Sequence, residues 1–166
     1  MTEPVPLVVD PPLPTQPGTL YELFVDQHVA MIRMARLLTG SNEAAEDLVQ
    51  DVFVRMHRKG ALPDNAVAYL RTSVVNACRS WHRTRFRERA RMTRFVEPNQ
   101  VPLGARELDD ALKTLSFRSR AALVLRFYEG WNEREIAEHL GVRPGTVGSL
   151  IHRGLDKLAI ALGDAR

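Results

Sequence analysis

The chain has 166 residues, 45% hydrophobic and 26% charged, with a formal net charge of +3 and one cysteine, Cys78. This leaves room for one domain or two small ones, and excludes an internal disulfide and a cysteine metal cluster. No run is long and apolar enough to span a membrane, and the N-terminus lacks the basic and apolar segments of a signal peptide, so no membrane insertion and a cytoplasmic location are expected.

Residues 1–18 carry Pro4, Pro6, Pro11, Pro12, Pro14 and Pro17. Proline removes backbone donors and restricts the residue before it, so this stretch is expected to be a disordered tail. From Thr19 the pattern turns helical: Leu20, Phe24, Met31, Ala35 and Leu38 recur at three-and-four spacing until Gly40. A second helix starts near Ser41 or Asn42, with Ala45, Leu48, Val52, Phe53 and Met56 as its apolar stripe. It is acidic early (Glu43, Glu46, Asp47, Asp51) and basic late (Arg55, Arg58, Lys59), which suits the helix dipole and needs no functional explanation.

Pro63 and Asp64 open a third helix, Asp64 being the expected cap, with Ala68, Tyr69, Val75 and Trp81 turned inward. From Arg79 the composition changes. Arg79, Arg83, Arg85, Arg87, Arg89, Arg91 and Arg94 stand against one acid, Glu88, with Trp81, His82 and Phe86 interleaved. A solvated basic helix end would account for the charge. Arginine interleaved with aromatics is also what single-stranded nucleic acid requires, charge for phosphates and flat faces for unstacked bases. Residues 96–106 lack apolar periodicity and hold Pro98, Pro102 and Gly104, the composition of a linker. The chain thus divides into a tail (1–18), a helical domain (19–95), a flexible linker and a second small helical domain (107–166).

In the second domain Leu108, Ala111, Leu112 and Leu115 share a stripe, and Ser116 caps a helix carrying Ala121, Leu123, Val124, Leu125 and Phe127, ended by Gly130. Two short helices follow. Asn132 and Glu135 have capping-box spacing, Gly141 is placed to end the first helix, and Pro144 falls in the first turn of the next. On that last helix Val147, Ile151, Gly154 and Leu158 face one way, and Gly145, Ser149, His152, Arg153 and Asp156 the other. A helix with a dry back and a small, polar, partly basic front is what a helix-turn-helix presents to a major groove. Strand-like alternation is absent throughout, so the fold class is all-α.

Catalytic patterns are missing. There is no phosphate-cradling glycine loop, no G-x-S-x-G elbow and no H-E-x-x-H, and the five histidines lack ligand spacing. Cys78 reads as a small buried residue rather than a nucleophile. No enzyme activity, metal or cofactor is expected.

Four segments, AAEDLVQDVFVRMHR (44–58), AYLRTSVVNACRSWHR (68–83), LSFRSRAALVLRFYEGWNEREIAEHLGV (115–142) and PGTVGSLIHR (144–153), stand in an order and spacing that resembles the extracytoplasmic-function sigma factors of the sigma-70 family, and most of all a short actinobacterial subset. The similarity runs from about Tyr21 to Leu158. It implies a first domain that binds core RNA polymerase and captures the minus-ten promoter element as a melted strand. It implies a second that binds the polymerase flap and the duplex minus-thirty-five element. By resemblance Asp47, Gln50 and Asp51 meet polymerase, and Asn76 helps read the opened strand, with Arg79, Trp81, Arg83 and Arg85 supporting it. Thr146, Ser149, His152 and Arg153 face duplex DNA. Gly148 and Leu150 stand where the family is often basic and Arg143 where a capping serine is common, which shifts duplex contact toward Arg143 and Arg153. An anti-sigma partner is a further implication. The competing reading is a stand-alone dimeric helix-turn-helix regulator bound to two half-sites; a purely structural helical adaptor leaves the arginine run without a role.

Overall fold

The computed structural model describes residues 18–91 and 103–163. The proline-rich tail and most of the expected linker lie outside the described residues. Seven helices are described: α1 (Leu20–Thr39), α2 (Asn42–Lys59), α3 (Ala66–Arg91), α4 (Leu103–Lys113), α5 (Phe117–Phe127), α6 (Glu133–Leu140) and α7 (Pro144–Gly163). The described residues form no strand.

Local chemistry sets the helix ends. Thr19 accepts from the Glu22 amide while the Glu22 carboxylate accepts in return from the Thr19 amide, a capping box. Gly40 ends α1 in the left-handed region at φ 74°, and Ser41 caps α2. The cap of α3 is Asn65, whose Oδ1 accepts from the Ala68 amide at 3.1 Å. Asp64, the cap expected from sequence, lies one residue too early. The α3 core face is also one step off the expected one: Ala66, Leu70, Val74, Val75 and Cys78 are buried, while Ala68 is exposed and Tyr69 and Trp81 are only half-buried. Helix α4 begins at Leu103, inside the stretch that read as linker.

The first three helices pack on one another through Leu23, Met31, Leu38, Val49, Val52, Leu70 and Val74, all with almost no exposure. The remaining four form the second lobe, and α5 is its axis. Ser119 to Leu125 of α5 is buried on every side. A helix apolar all round must be covered all round. Helices α6 and α7 cover one side of it, and α1 and α3 of the first lobe cover another. One core cluster consequently runs through both lobes, from Leu23 and Leu70 to Leu125, Ile136 and Val147.

Polar contacts reinforce that junction. Arg36 Nη1 meets Asp109 Oδ2 at 3.1 Å, and Arg71 Nε lies 3.0 Å from Glu129 Oε2. The Arg71 Nε–H is not aligned into a hydrogen bond, so attraction only partly offsets the cost of burying Glu129, and burial holds that carboxyl above its ordinary range. Arg120 Nη1 donates to the Leu38 carbonyl at 2.9 Å, and His82 Nε2 donates to the same carbonyl at 2.7 Å. Thr72 Oγ1 and His139 Nε2 are 2.6 Å apart.

Candidate nucleic-acid and protein interfaces

The helix-turn-helix is built as its sequence requires. Asn132 Oδ1 accepts from the Arg134 and Glu135 amides, both at 3.0 Å, and Glu135 Oε2 accepts from the Asn132 amide at 2.8 Å. Gly141 takes φ 62° and turns the chain, and Pro144 is the first residue of α7. Val147, Leu150 and Gly154 are buried against the lobe. Leu150, which stands where the family is often basic, is thus a core residue in this chain. Gly154 allows the α5–α7 approach: a Cβ there would stand 2.8 Å from Leu123 Cδ1. Arg143, Ser149, His152 and Arg153 are exposed and Thr146 is half-exposed. Arg153 Nε donates to the Ser149 carbonyl at 3.1 Å, which steers its guanidinium along the outer face. His152 Nε2 lies 3.6 Å from Asp156 Oδ2. All five expected duplex-facing residues therefore sit on or beside one outward surface.

On α2, Asp47, Gln50 and Asp51 are exposed and fall within one turn of one another. Three- and four-residue spacing places them on a common face. The face continues into an apolar groove of about 450 Å³, lined by Leu20, Tyr21, Phe24, Gln50, Phe53 and Val54. Tyr21 is 77% exposed, and Phe24, which follows the apolar three-and-four spacing of α1, is 40% exposed with its ring edge-on to Phe53 at 5.1 Å. The helical period marks Phe24 as apolar-facing, but a period cannot tell a core from a docking surface. Tyr21, Phe24 and Val54 line a surface that sequence reasoning did not single out.

Asn76 is exposed on α3, one turn beyond Thr72. The arginine run begins less than one turn further on, and its described members Arg79, Arg83, Arg85 and Arg87 line a cleft of about 1090 Å³ between the lobes. Trp81 lines it too, with Arg85 5.1 Å above its ring. Cys78 is fully buried, and burial pushes its thiol up to about 12. Among the described residues no three histidine, cysteine or acidic side chains gather as metal ligands, and no helix is long and apolar enough to cross a membrane.

Two family models match this chain: sigma-70 region 2 over residues 24–88 and sigma-70 region 4 over residues 105–158. The chain belongs to the sigma-70 family. Its curated relatives place it among the extracytoplasmic-function sigma factors. It is 33% identical over 137 residues to the RNA polymerase sigma-E factor of Streptomyces avermitilis, covering 78% of this chain and 76% of that one. It is 31% identical over 159 residues to the ECF RNA polymerase sigma factor SigL of Mycobacterium tuberculosis, covering 87% and 90%. Among solved structures it is similar to the sigma factor RpoE of Bartonella quintana, crystallised in complex with the anti-sigma factor NepR. The TM-score is 0.67 at 26% identity, covering 88% of this chain and 98% of that one. The region 2 match holds the α2 face and Asn76, and the region 4 match holds the helix-turn-helix.

Proposed function

We propose that this sigma factor joins core RNA polymerase through the α2 face, opens promoter DNA with the first lobe (19–95), and reads a duplex upstream element with the second (107–166). The observation that carries this reading is the presence on one chain of two unlike surfaces. One is an acidic face running into an apolar groove, suited to a protein. The other is an outward polar and basic face on α7, suited to a major groove. Asp47, Gln50 and Asp51 dock on polymerase, with Tyr21, Phe24 and Val54 supplying apolar area. Arg153 and Arg143 contact base edges or phosphates of the duplex, and Ser149, His152 and Thr146 set the register. Asn76 holds an unstacked base of the melted strand, and Arg79, Arg83 and Arg85 neutralise its phosphates beside Trp81. Unstacking costs a few kcal/mol, which those contacts offset. The chain is not itself an enzyme and acts in the cytoplasm. The NepR complex of the Bartonella protein supports an anti-sigma partner here as well.

This scheme requires the lobes to separate. Elements centred near positions ten and thirty-five are about 25 base pairs apart, or about 85 Å at 3.4 Å per pair. A folded chain of this size has a radius of gyration of about 15 Å. The closed form therefore cannot reach both elements, and polymerase holds the lobes apart on the promoter. The test is a gel shift on promoter duplex with and without core polymerase. The expected result is weak binding alone and a stable shift with polymerase. Tight binding of the isolated protein to a palindrome would support a stand-alone regulator instead.

A further inference from the structure

Closure of the lobes assembles a concentration of positive charge to which both lobes contribute. Among the described residues the cleft walls hold seven arginine or lysine side chains against two carboxylates, Glu43 and Asp47. Arg79, Arg83 and Arg87 come from α3, and Lys113, Arg118 and Arg120 from α4 and α5. A concave wall of one sign focuses potential and concentrates counter-ions. Arg120 is the most telling member. It is 4% exposed, yet it bonds only to carbonyls, those of Leu38 and Leu115, and its Nε has no partner. No carboxylate of a described residue pairs with it. Ser41 and Ser116, the N-caps of α2 and α5, also line the cleft and turn two positive helix ends toward it. On its rim Phe86 is 76% exposed, a flat apolar face on which no ring of a described residue stacks. The volume is at the upper end of the ~300–1,000 Å³ typical of small-molecule sites.

We propose that this cleft binds a nucleoside polyphosphate and that the bound ligand holds the two lobes together. Arginines drawn from both lobes match the clustered charge of a polyphosphate and its acceptor oxygens, and Phe86 offers the base a stacking surface. A promoter strand is the poorer fit, because engaging a promoter separates the walls. A ligand bound to the closed form and not to the open one shifts the equilibrium toward closure by mass action.

The test uses the full chain without polymerase, so it is independent of the promoter reading. Dyes are placed on the two lobes through Val29→Cys and Ile160→Cys, both exposed positions. GTP, inorganic tripolyphosphate, inorganic phosphate and a short single-stranded DNA are titrated at fixed ionic strength, with binding followed by calorimetry and closure by energy transfer. GTP is expected to bind at least tenfold tighter than phosphate and to raise transfer. Lys113→Glu with Arg118→Glu should lose that affinity at least tenfold, and the milder Lys113→Gln should lose part of it with an unchanged circular dichroism spectrum. Phe86→Ala should weaken GTP and leave tripolyphosphate unaffected. The proposal is overturned if GTP binds no better than phosphate, if charge reversal changes nothing, if transfer falls on binding, or if the DNA binds the closed form more tightly than GTP. Equal affinity for tripolyphosphate and GTP would overturn the nucleoside assignment.

Discussion

At residue scale, two buried positions make sharp predictions. Gly154 sits where a Cβ would stand 2.8 Å from Leu123 Cδ1 and 3.3 Å from its Cγ. Overpacking of this kind costs about 1–3 kcal/mol. Gly154→Val should lower the melting temperature, and adding Leu123→Ala, which makes room, should recover part of the loss. Full additivity of the two changes would show that the contact is not the cause. Cys78 has a folded-state pKa raised by burial from 9.0 to about 12. A raised pKa means the folded chain keeps its proton while the unfolded chain loses one, so stability is intact below pH 9 and falls as pH rises from 9 toward 12. The limiting slope is about 1.4 kcal/mol per pH unit. Denaturant titrations at pH 8 and pH 10.5 should show the parent losing more stability than Cys78→Ala. Parallel losses would place the alkaline sensitivity elsewhere. The same burial should make Cys78 inert to thiol reagents until the chain unfolds.

Individual elements carry the separable functions. Asp47→Arg with Asp51→Arg should abolish co-purification with core polymerase while the circular dichroism spectrum is unchanged, because both side chains are exposed on α2. Normal co-purification would remove the α2 face from the interface. Much of this level was readable in advance. Capping chemistry at Ser41, Ser116 and Asn132 is local, so it survives in the sequence, and it placed the starts of α2, α5 and α6. On α7 the helical period placed Val147 and Gly154 inward, but it left out Leu150, which is buried, and included Ile151 and Leu158, which are half-buried. What failed were cases where neighbours decide. Asp64 and Asn65 are both good caps, and only the path of the chain selects Asn65. Phe24 and Phe127 are apolar and in phase, yet 40% and 67% exposed, because the described residues leave them uncovered. The α4 start fell in a segment whose proline and glycine masked it. Lobe closure was encoded but unread: residues 121–125 of α5 are apolar in every direction, which a two-face packing cannot satisfy.

For the whole molecule, the proposed function requires a chain stored closed and used open. Closure buries apolar α5 but also buries Arg120 without a carboxylate partner, and desolvation holds that guanidinium down at about 10. Removing it leaves the Leu38 carbonyl to His82 alone. Arg120→Ala should therefore weaken the junction, and small-angle scattering should show a larger radius of gyration; an unchanged profile would mean that the apolar contacts suffice. Once the lobes are apart, each should fail separately. Arg153→Ala should remove the proposed duplex contact, worth roughly 1–3 kcal/mol for a bidentate guanine pair. Asn76→Ala should remove the contact proposed to the melted strand alone. The decisive measurement is transcription by reconstituted holoenzyme on duplex and on pre-melted templates, with the upstream and downstream elements varied in turn. The account predicts that Arg153→Ala is impaired on duplex carrying the upstream element and nearly normal on a pre-melted template lacking it. It predicts that Asn76→Ala binds upstream duplex normally but loses discrimination at the downstream base even when the bubble is supplied. The same defect in both variants on every template would contradict it.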